Sequence, residues 1–314
     1  MRVVVTGADG FIGGPTCDLF EQRGHQVRRV VRSEQGPGRE RATVPDLVAL
    51  REWSPILQGA EAVVHLAGRA HVVRETGDPT EEFRRHNVDV TRRLLEAAIA
   101  CGVRRFVFVS SIGVNGSSTP ARAFVEADEP NPAEPYARSK LECEQLIRAI
   151  AQPAAVEFVI VRPPLVYGPE AKGNLQRMIR LVASGVPLPL ASVRNRRNLL
   201  AVDNLAEALV RCVELPAAAN QTFLLAEPDV HSTPEIFAAL YAGMARRNRL
   251  FHFPVNLLRN TARLLGAAAT FDKLCSSLEV NATKAYRELD WQPRRLFEQV
   301  MAATARQYLE RRPE

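Results

Sequence analysis

Tyr136 and Lys140 stand four residues apart behind Pro135, a residue suited to a first helical turn, so the phenol and the amine share one helix face. Such a pair can donate a proton. An ammonium about 4 Å away at an effective dielectric near 20 contributes about 4 kcal/mol, enough to bring a phenol from about 10 towards neutrality. Coincidence is a weak rival: five tyrosines and four lysines in 314 residues give this spacing by chance in about 6% of such chains. Ser110 and Ser111 follow the apolar run that ends at Val109, where a hydroxyl would stand at a sheet's carboxyl edge beside a ligand. On their own, serines there more often serve as a helix cap or turn.

The complementary feature is the turn Thr6-Gly7-Ala8-Asp9-Gly10-Phe11-Ile12-Gly13. It leaves an apolar run and enters a helical pattern, so its glycines let the backbone approach a pyrophosphate at a helix N-terminus. The second strand ends Val30-Val31-Arg32-Ser33, without the acid that would bind the ribose hydroxyls of NAD. Arg32 could accept a 2′-phosphate, which favours NADP(H) and leaves NAD(H) possible; a solvated surface arginine explains it equally well.

These residues need a scaffold, and the first half of the chain supplies the pattern of one. Strands at Val3–Val5, Gln26–Val31, Ala62–Leu66, Arg105–Val109 and Val156–Val161 alternate with helices near Phe11–Arg23, Arg51–Leu57, Phe83–Cys101 and Tyr136–Ala151. The expectation is an α/β Rossmann-type fold, a doubly wound parallel sheet, with a smaller, mostly helical substrate domain. After Pro163 the prolines and glycines break the chain into loops around one helix near Leu175–Ala183, as in a pocket segment. A strand at Asn198–Ala201 and a helix at Asn204–Leu215 are expected to return to the sheet. The domains then run 1–167 with 198–228, and 168–197 with 229–314.

Composition excludes some classes. A content of 46% hydrophobic residues over 314 supports a full core, and no apolar stretch reaches the length of a membrane span. The N-terminus enters a strand without a signal-peptide core, so a cytoplasmic protein with no membrane partner is expected. The five cysteines, Cys17, Cys101, Cys143, Cys212 and Cys275, lack short pairings and imply neither disulfide nor metal. The net charge of +6 is spread along the chain without basic–aromatic interleaving, which argues against nucleic acid and is compatible with an anionic small substrate.

Taken together, the chain resembles the extended short-chain dehydrogenase/reductase family, in the branch acting on nucleotide-diphosphate sugars. The resemblance covers nearly the whole chain. It rests on the glycine turn, His65-Leu66-Ala67-Gly68, Asn87, Val109-Ser110-Ser111, Tyr136 to Lys140, and Arg162-Pro163-Pro164-Leu165-Val166-Tyr167-Gly168. It implies that Asp46-Leu47 touches the adenine, that Leu66, Ala67, Gly68 and Asn87 border the cofactor, and that Pro163 adjoins the nicotinamide. Ser111 would hydrogen-bond the sugar oxygen, with Ser110 in reserve and Ile112 beside them. Asn174 and Arg197 would hold the substrate diphosphate. A homodimer through the helices of Phe83–Cys101 and of Tyr136 is implied as well.

Asn195-Arg196-Arg197-Asn198-Leu199, with Asp203-Asn204-Leu205, is similar to bacterial reductases of UDP-4-keto-6-deoxy-N-acetylhexosamines used in surface-polysaccharide synthesis. Ser277-Leu278-Glu279-Val280 and Leu289-Asp290-Trp291-Gln292-Pro293 also fit this branch. Two departures from the common 4-epimerase pattern are the missing acid after the second strand and Asn115, where a tyrosine is common. The leading expectation is therefore a nicotinamide-dependent C4 reductase of a UDP-sugar. A 4-epimerase with tightly held NAD is the first alternative, and a non-catalytic cofactor sensor the second.

Overall fold

The computed structural model describes residues 1–33, 40–70 and 78–311. Seven parallel strands form the central sheet: β1 (Arg2–Thr6), β2 (Gln26–Val31), β3 (Arg41–Thr43), β4 (Ala62–His65), β5 (Arg105–Val109), β6 (Glu157–Arg162) and, further along the chain, β9 (Gln221–Leu224). Their order is β3-β2-β1-β4-β5-β6-β9. The chain winds outward in one direction from β1 and in the other from β4. Ligands of such sheets sit above the carboxyl ends where the winding reverses, between these two strands.

Successive side chains of β1 serve opposite faces, so a run of valines fills two cores at once. Val3 and Val5 pack with Phe20, Leu205 and Leu209 on one face. Val4 packs with Leu94, Phe106 and Ile147 on the other. The first layer carries α1 (Gly13–Gln22) and α7 (Val202–Glu214). The second carries α2 (Ser54–Leu57), α4 (Val90–Ala100) and α5 (Pro135–Ala151). Ahead of α4, α3 (Pro79–Phe83) runs into a π-helical turn over Arg84–Asp89, so the helix expected at Phe83–Cys101 is a composite.

A second core lies over the carboxyl edge. It is built on β7 (Leu165–Tyr167), α6 (Asn174–Ser184), β8 (Arg197–Ala201), α8 (Thr233–Gly243) and α12 (Phe297–Glu310), with Tyr167, Leu175, Phe237, Leu240 and Met301 buried in it. The expected return of Asn198–Ala201 to the main sheet does not occur. β8 pairs parallel with β7 and antiparallel with β10 (Val230–His231) in a separate three-stranded sheet. β9 takes the edge beside β6 instead. The cause is long-range in sequence: Asn198 donates to the carbonyls of Glu227 and Asp229 and accepts from the amide of Val280, which pins β8 away from the main sheet. β9, only four residues long, carries no periodic signal. The C-terminal third adds α9 (Val255–Leu264), α10 (Ala268–Cys275) and α11 (Thr283–Glu288).

Candidate active site

The glycine turn joins β1 to α1 under tight steric limits. Gly7 has φ +70°, and a Cβ there would lie 2.9 Å from the amide nitrogen of Ala67. A Cβ on Gly13 would lie 2.1 Å from the carbonyl oxygen of Gly7, so only glycine lets α1 start this close to the strand. Ile12, the N-cap residue, makes no side-chain cap bond, and the first turn of α1 holds no acid. Its amides are thus presented to an anion, with the positive end of the helix dipole behind them.

In front of the turn lies a cavity of about 600 Å³ lined by Gly7, Gly10, Arg32, Asp46, Leu47, Leu66, Ala67 and Gly68, all expected from sequence. Asp9, Arg69, His86 and Lys172 line it too, without any signal in the sequence that marks them. The backbone cradle, the uncapped helix and the cavity's position at the reversal of the sheet fit a dinucleotide. Phe11 packs into the second core, its ring 3.6 Å from where a Cβ on Gly168 would be, while Ile12 packs into the sheet core, so both anchor the turn. Arg32, with 73% of its side chain exposed, lies 3.7 Å from Asp9 at the cavity rim.

Thr6 holds the opposite wall. Its hydroxyl accepts the Ala67 amide at 3.2 Å and lies 2.7 Å from Nδ1 of His65, whose Nε2 in turn lies 3.1 Å from the Thr91 hydroxyl. Burial, and next to it the charge of Lys140, push the His65 imidazole down to about 3, so it is neutral. Asn87, buried on the π-helical turn, accepts from the Arg69 amide and donates to the Arg69 carbonyl and to Ser139. Its carboxamide is thereby committed to strapping the β4 loop to α5. The extra residue per turn aims it there, a usual role of π-helical insertions.

Tyr136 and Lys140 sit on the first turns of α5 as their spacing predicts. Lys140 Nζ donates to the Val109 carbonyl at 2.9 Å, lies 4.5 Å above the ring of Phe108, and would be 3.4 Å from a Cβ on Gly68. The lysine thus stands where the cavity wall meets the end of β5. It lies 5.9 Å from the centroid of the Tyr136 ring. The expected lowering of the phenol is not found. Loss of water, with the neighbouring Cys143 thiol second, pushes Tyr136 up to about 12, and burial likewise pushes the Lys140 ammonium down.

Ser111 caps a short 3₁₀ turn (Ile112–Val114), its Oγ accepting the Gly113 amide at 3.1 Å, which leaves the hydroxyl hydrogen free to donate. Gly113 brings this loop onto α5: a Cβ on it would touch Ala137 and Ser111 Oγ, each at 3.3 Å. Ser110 points the other way, giving its hydrogen to Glu144 at 2.5 Å. Glu144 also receives two bonds from Arg162, at 2.9 and 2.6 Å, and Arg162 donates on to Asn115. Ser110 is therefore a member of a buried network and not a second sugar contact. Asn115, where the sequence departs from the usual tyrosine, belongs to it too. The side chain of Ile112 is likewise turned into a core cluster with Leu224 and Leu278, and its amide donates to the carbonyl of buried Pro163 at 2.9 Å. Glu144 extends the series Tyr136, Lys140, Glu144 at helical spacing, which is the signal in the sequence that marks it.

The two residues expected at the diphosphate lie outside the cavity, in the second region. Asn174 is exposed at the start of α6 behind Gly173, whose φ is +68°. Arg197 gives one nitrogen to the carbonyls of Lys273 and Ser276, each at 2.8 Å. Among the described residues it has no carboxylate partner, and burial pushes its guanidinium down. A sequestered cation without a counter-charge is suited to an anion.

This chain matches the model of the NAD-dependent epimerase/dehydratase family over residues 3–226. It is 32% identical over 316 residues to a UDP-glucose 4-epimerase of Vibrio cholerae, covering 98% of this chain and 95% of the relative. The chain belongs to the NAD-dependent epimerase/dehydratase family. It is accordingly an enzyme with the extended short-chain dehydrogenase/reductase fold. A ceramide reductase of Caulobacter vibrioides is 28% identical over 298 residues, 93% of this chain and 86% of the relative. Among solved structures, a UDP-glucuronic acid 4-epimerase from Bacillus cereus in complex with UDP-glucuronic acid and NAD superposes with a TM-score of 0.81, at 20% identity over 99% of this chain and 100% of the other. Among the described residues no cluster could hold a metal ion, and no helix is long and apolar enough to cross a membrane.

Proposed function

We propose that the enzyme reduces the C4 ketone of a UDP-linked 6-deoxy-(N-acetyl)hexosamine, with NADPH favoured over NADH. The observation that carries this reading is the pairing of Tyr136 and Lys140 on the first turns of α5, with Lys140 against the Gly68 wall of the cavity. A phenol that keeps its proton at neutrality is a donor, the role reduction asks of it. Bound nicotinamide supplies the hydride. Tyr136 Oη gives its proton to the ketone oxygen, and Ser111 donates a hydrogen bond to the charge growing there. Lys140 stands at the Gly68 wall, where a cofactor ribose would pass, and Arg197 is suited to the substrate diphosphate. Arg32, exposed at the cavity rim, supports the phosphorylated cofactor.

A 4-epimerase with retained NAD is the second reading, favoured by the relative from Vibrio cholerae. It uses the same residues, but oxidation first requires Tyr136 as a base. One experiment separates them: the enzyme is incubated with UDP-N-acetylglucosamine, a 4,6-dehydratase and NADPH or NADH, and the product is followed by NMR. Stoichiometric NADPH consumption with a new C4 alcohol is expected. Interconversion of UDP-glucose and UDP-galactose, or of their N-acetyl forms, without net nicotinamide consumption would establish the epimerase. NADH binding as tight as NADPH binding, and unchanged by Arg32→Ala, would remove the cofactor preference.

A further inference from the structure

Helix α9 is the one long helix in the described residues whose sequence is amphipathic and which buries no residue. At 100° per residue its apolar side chains Val255, Leu257, Leu258, Ala262, Leu264 and the following Leu265 occupy one half of the wheel, and Arg259, Arg263, Asn256 and Asn260 occupy the other. Val255, Leu258 and Ala262, on one side of the apolar half, are half-buried against the protein. The rest of that half is left in water: Leu257 is 53%, Leu264 87% and Leu265 82% exposed. Of the seven large apolar side chains exposed among the described residues, six lie in or beside this region, since Leu181, Val186 and Phe251 belong to segments joined by the bridge between Leu188 and Leu250. A lone exposed leucine needs no explanation, whereas three on one amphipathic helix mark a contact surface.

Charge selects the partner. From Ile236 to Phe271 the chain has no aspartate or glutamate and carries Arg246, Arg247, Arg249, Arg259 and Arg263. Arg246 and Arg249 donate to the carbonyls of Ala183 and Gly185 at the end of α6, which leaves their charge uncancelled. None of the five forms an ion pair among the described residues, although the chain elsewhere pairs its arginines freely, as at Arg29, Arg105 and Arg162. Leucines flanked by unpaired arginines, on a helix lying along the surface, match an anionic lipid surface: the side chains enter the headgroup boundary and the guanidinium groups meet phosphate. A second copy of this chain would set these arginines against each other.

We infer that α9, with the arginine-bearing segment before it, docks the enzyme on an anionic bilayer as a peripheral contact. This departs from the expectation, drawn from the sequence, of no membrane partner. The inference is independent of which sugar reaction the site runs.

Vesicle co-sedimentation tests it, using phosphatidylcholine alone or phosphatidylcholine mixed with phosphatidylglycerol. The full chain is expected to sediment with the mixed vesicles and to remain in solution with phosphatidylcholine alone. Arg259→Glu with Arg263→Glu should lower the partition coefficient about thirtyfold or more. Leu264→Glu with Leu265→Glu should abolish binding, and because both leucines are exposed the melting temperature should not move. Three results overturn the inference: no binding to mixed vesicles, equal binding to both kinds, or binding that survives the leucine pair. Sedimentation equilibrium covers the other occupant: a dimer that the leucine pair converts to monomer would assign this face to a second copy.

Discussion

Replacing Glu144 with glutamine removes one charge from the network beneath Ser110 and nearly nothing from the volume. Glu144 and its partner Arg162 keep only 2% and 5% of their side chains exposed, and their bonds at 2.6 and 2.9 Å are the only charge neutralisation the guanidinium has among the described residues. Leaving a buried partner uncompensated costs about 3–5 kcal/mol. At about 2.1 cal/mol/K of unfolding entropy per residue, 314 residues give about 0.7 kcal/mol/K, so the loss lowers the melting temperature by about 5–8 °C. Differential scanning calorimetry reads it directly. Ser110 precedes Ser111, and Glu144 lies one helical turn after Lys140, so kcat should fall while the dissociation constant for dinucleotide changes little. The pair Glu144→Met with Arg162→Met should recover most of the stability, since well-packed apolar side chains of similar size replace buried ion pairs at little cost. A melting temperature for Glu144→Gln within a degree of the unmodified enzyme would refute the reasoning, as would a double variant no more stable than the single one.

Tyr136→Phe removes the proton donor and should lower kcat by about 10²–10⁴ with KM nearly unchanged, measured by nicotinamide absorbance on a UDP-4-keto sugar. Gly13→Ala places a methyl group 2.1 Å from the Gly7 carbonyl oxygen, so calorimetric titration should show dinucleotide affinity reduced at least about tenfold, together with a lower melting temperature. The pH dependence of stability should carry the mark of His65, whose folded-state value of about 3 lies below the unfolded 6.5. Above 6.5 both states are neutral there. Below it the unfolded chain takes a proton the folded one refuses, and stability falls by about 1.4 kcal/mol per pH unit until about pH 3. Urea unfolding at pH 6.5 and 5 should therefore show a loss of about 2 kcal/mol from this residue, absent in His65→Gln; an equal pH slope in both proteins would sink the assignment.

The sequence by itself determined the glycine turn, the first strands and the Tyr136–Lys140 pair, because each depends on local rules. A valine strand buries both faces, only glycine fits a backbone turned against its neighbour, and four residues of helix bring two side chains together. Tertiary structure alone decided what those residues experience. The phenol of Tyr136 rises because the fold buries it, while Lys140 is committed to the Val109 carbonyl, and no spacing rule contains either fact. Ser110 and Ser111 are adjacent and chemically identical, yet a buried carboxylate from α5 takes the hydroxyl of one, and the turn before Gly113 frees the other. β8 leaves the main sheet, and the unanticipated β9 takes its edge, because Asn198 answers to Glu227, Asp229 and Val280, partners 29 to 82 residues away. Such choices are made by long-range hydrogen bonds and desolvation, which the local order of residues does not encode.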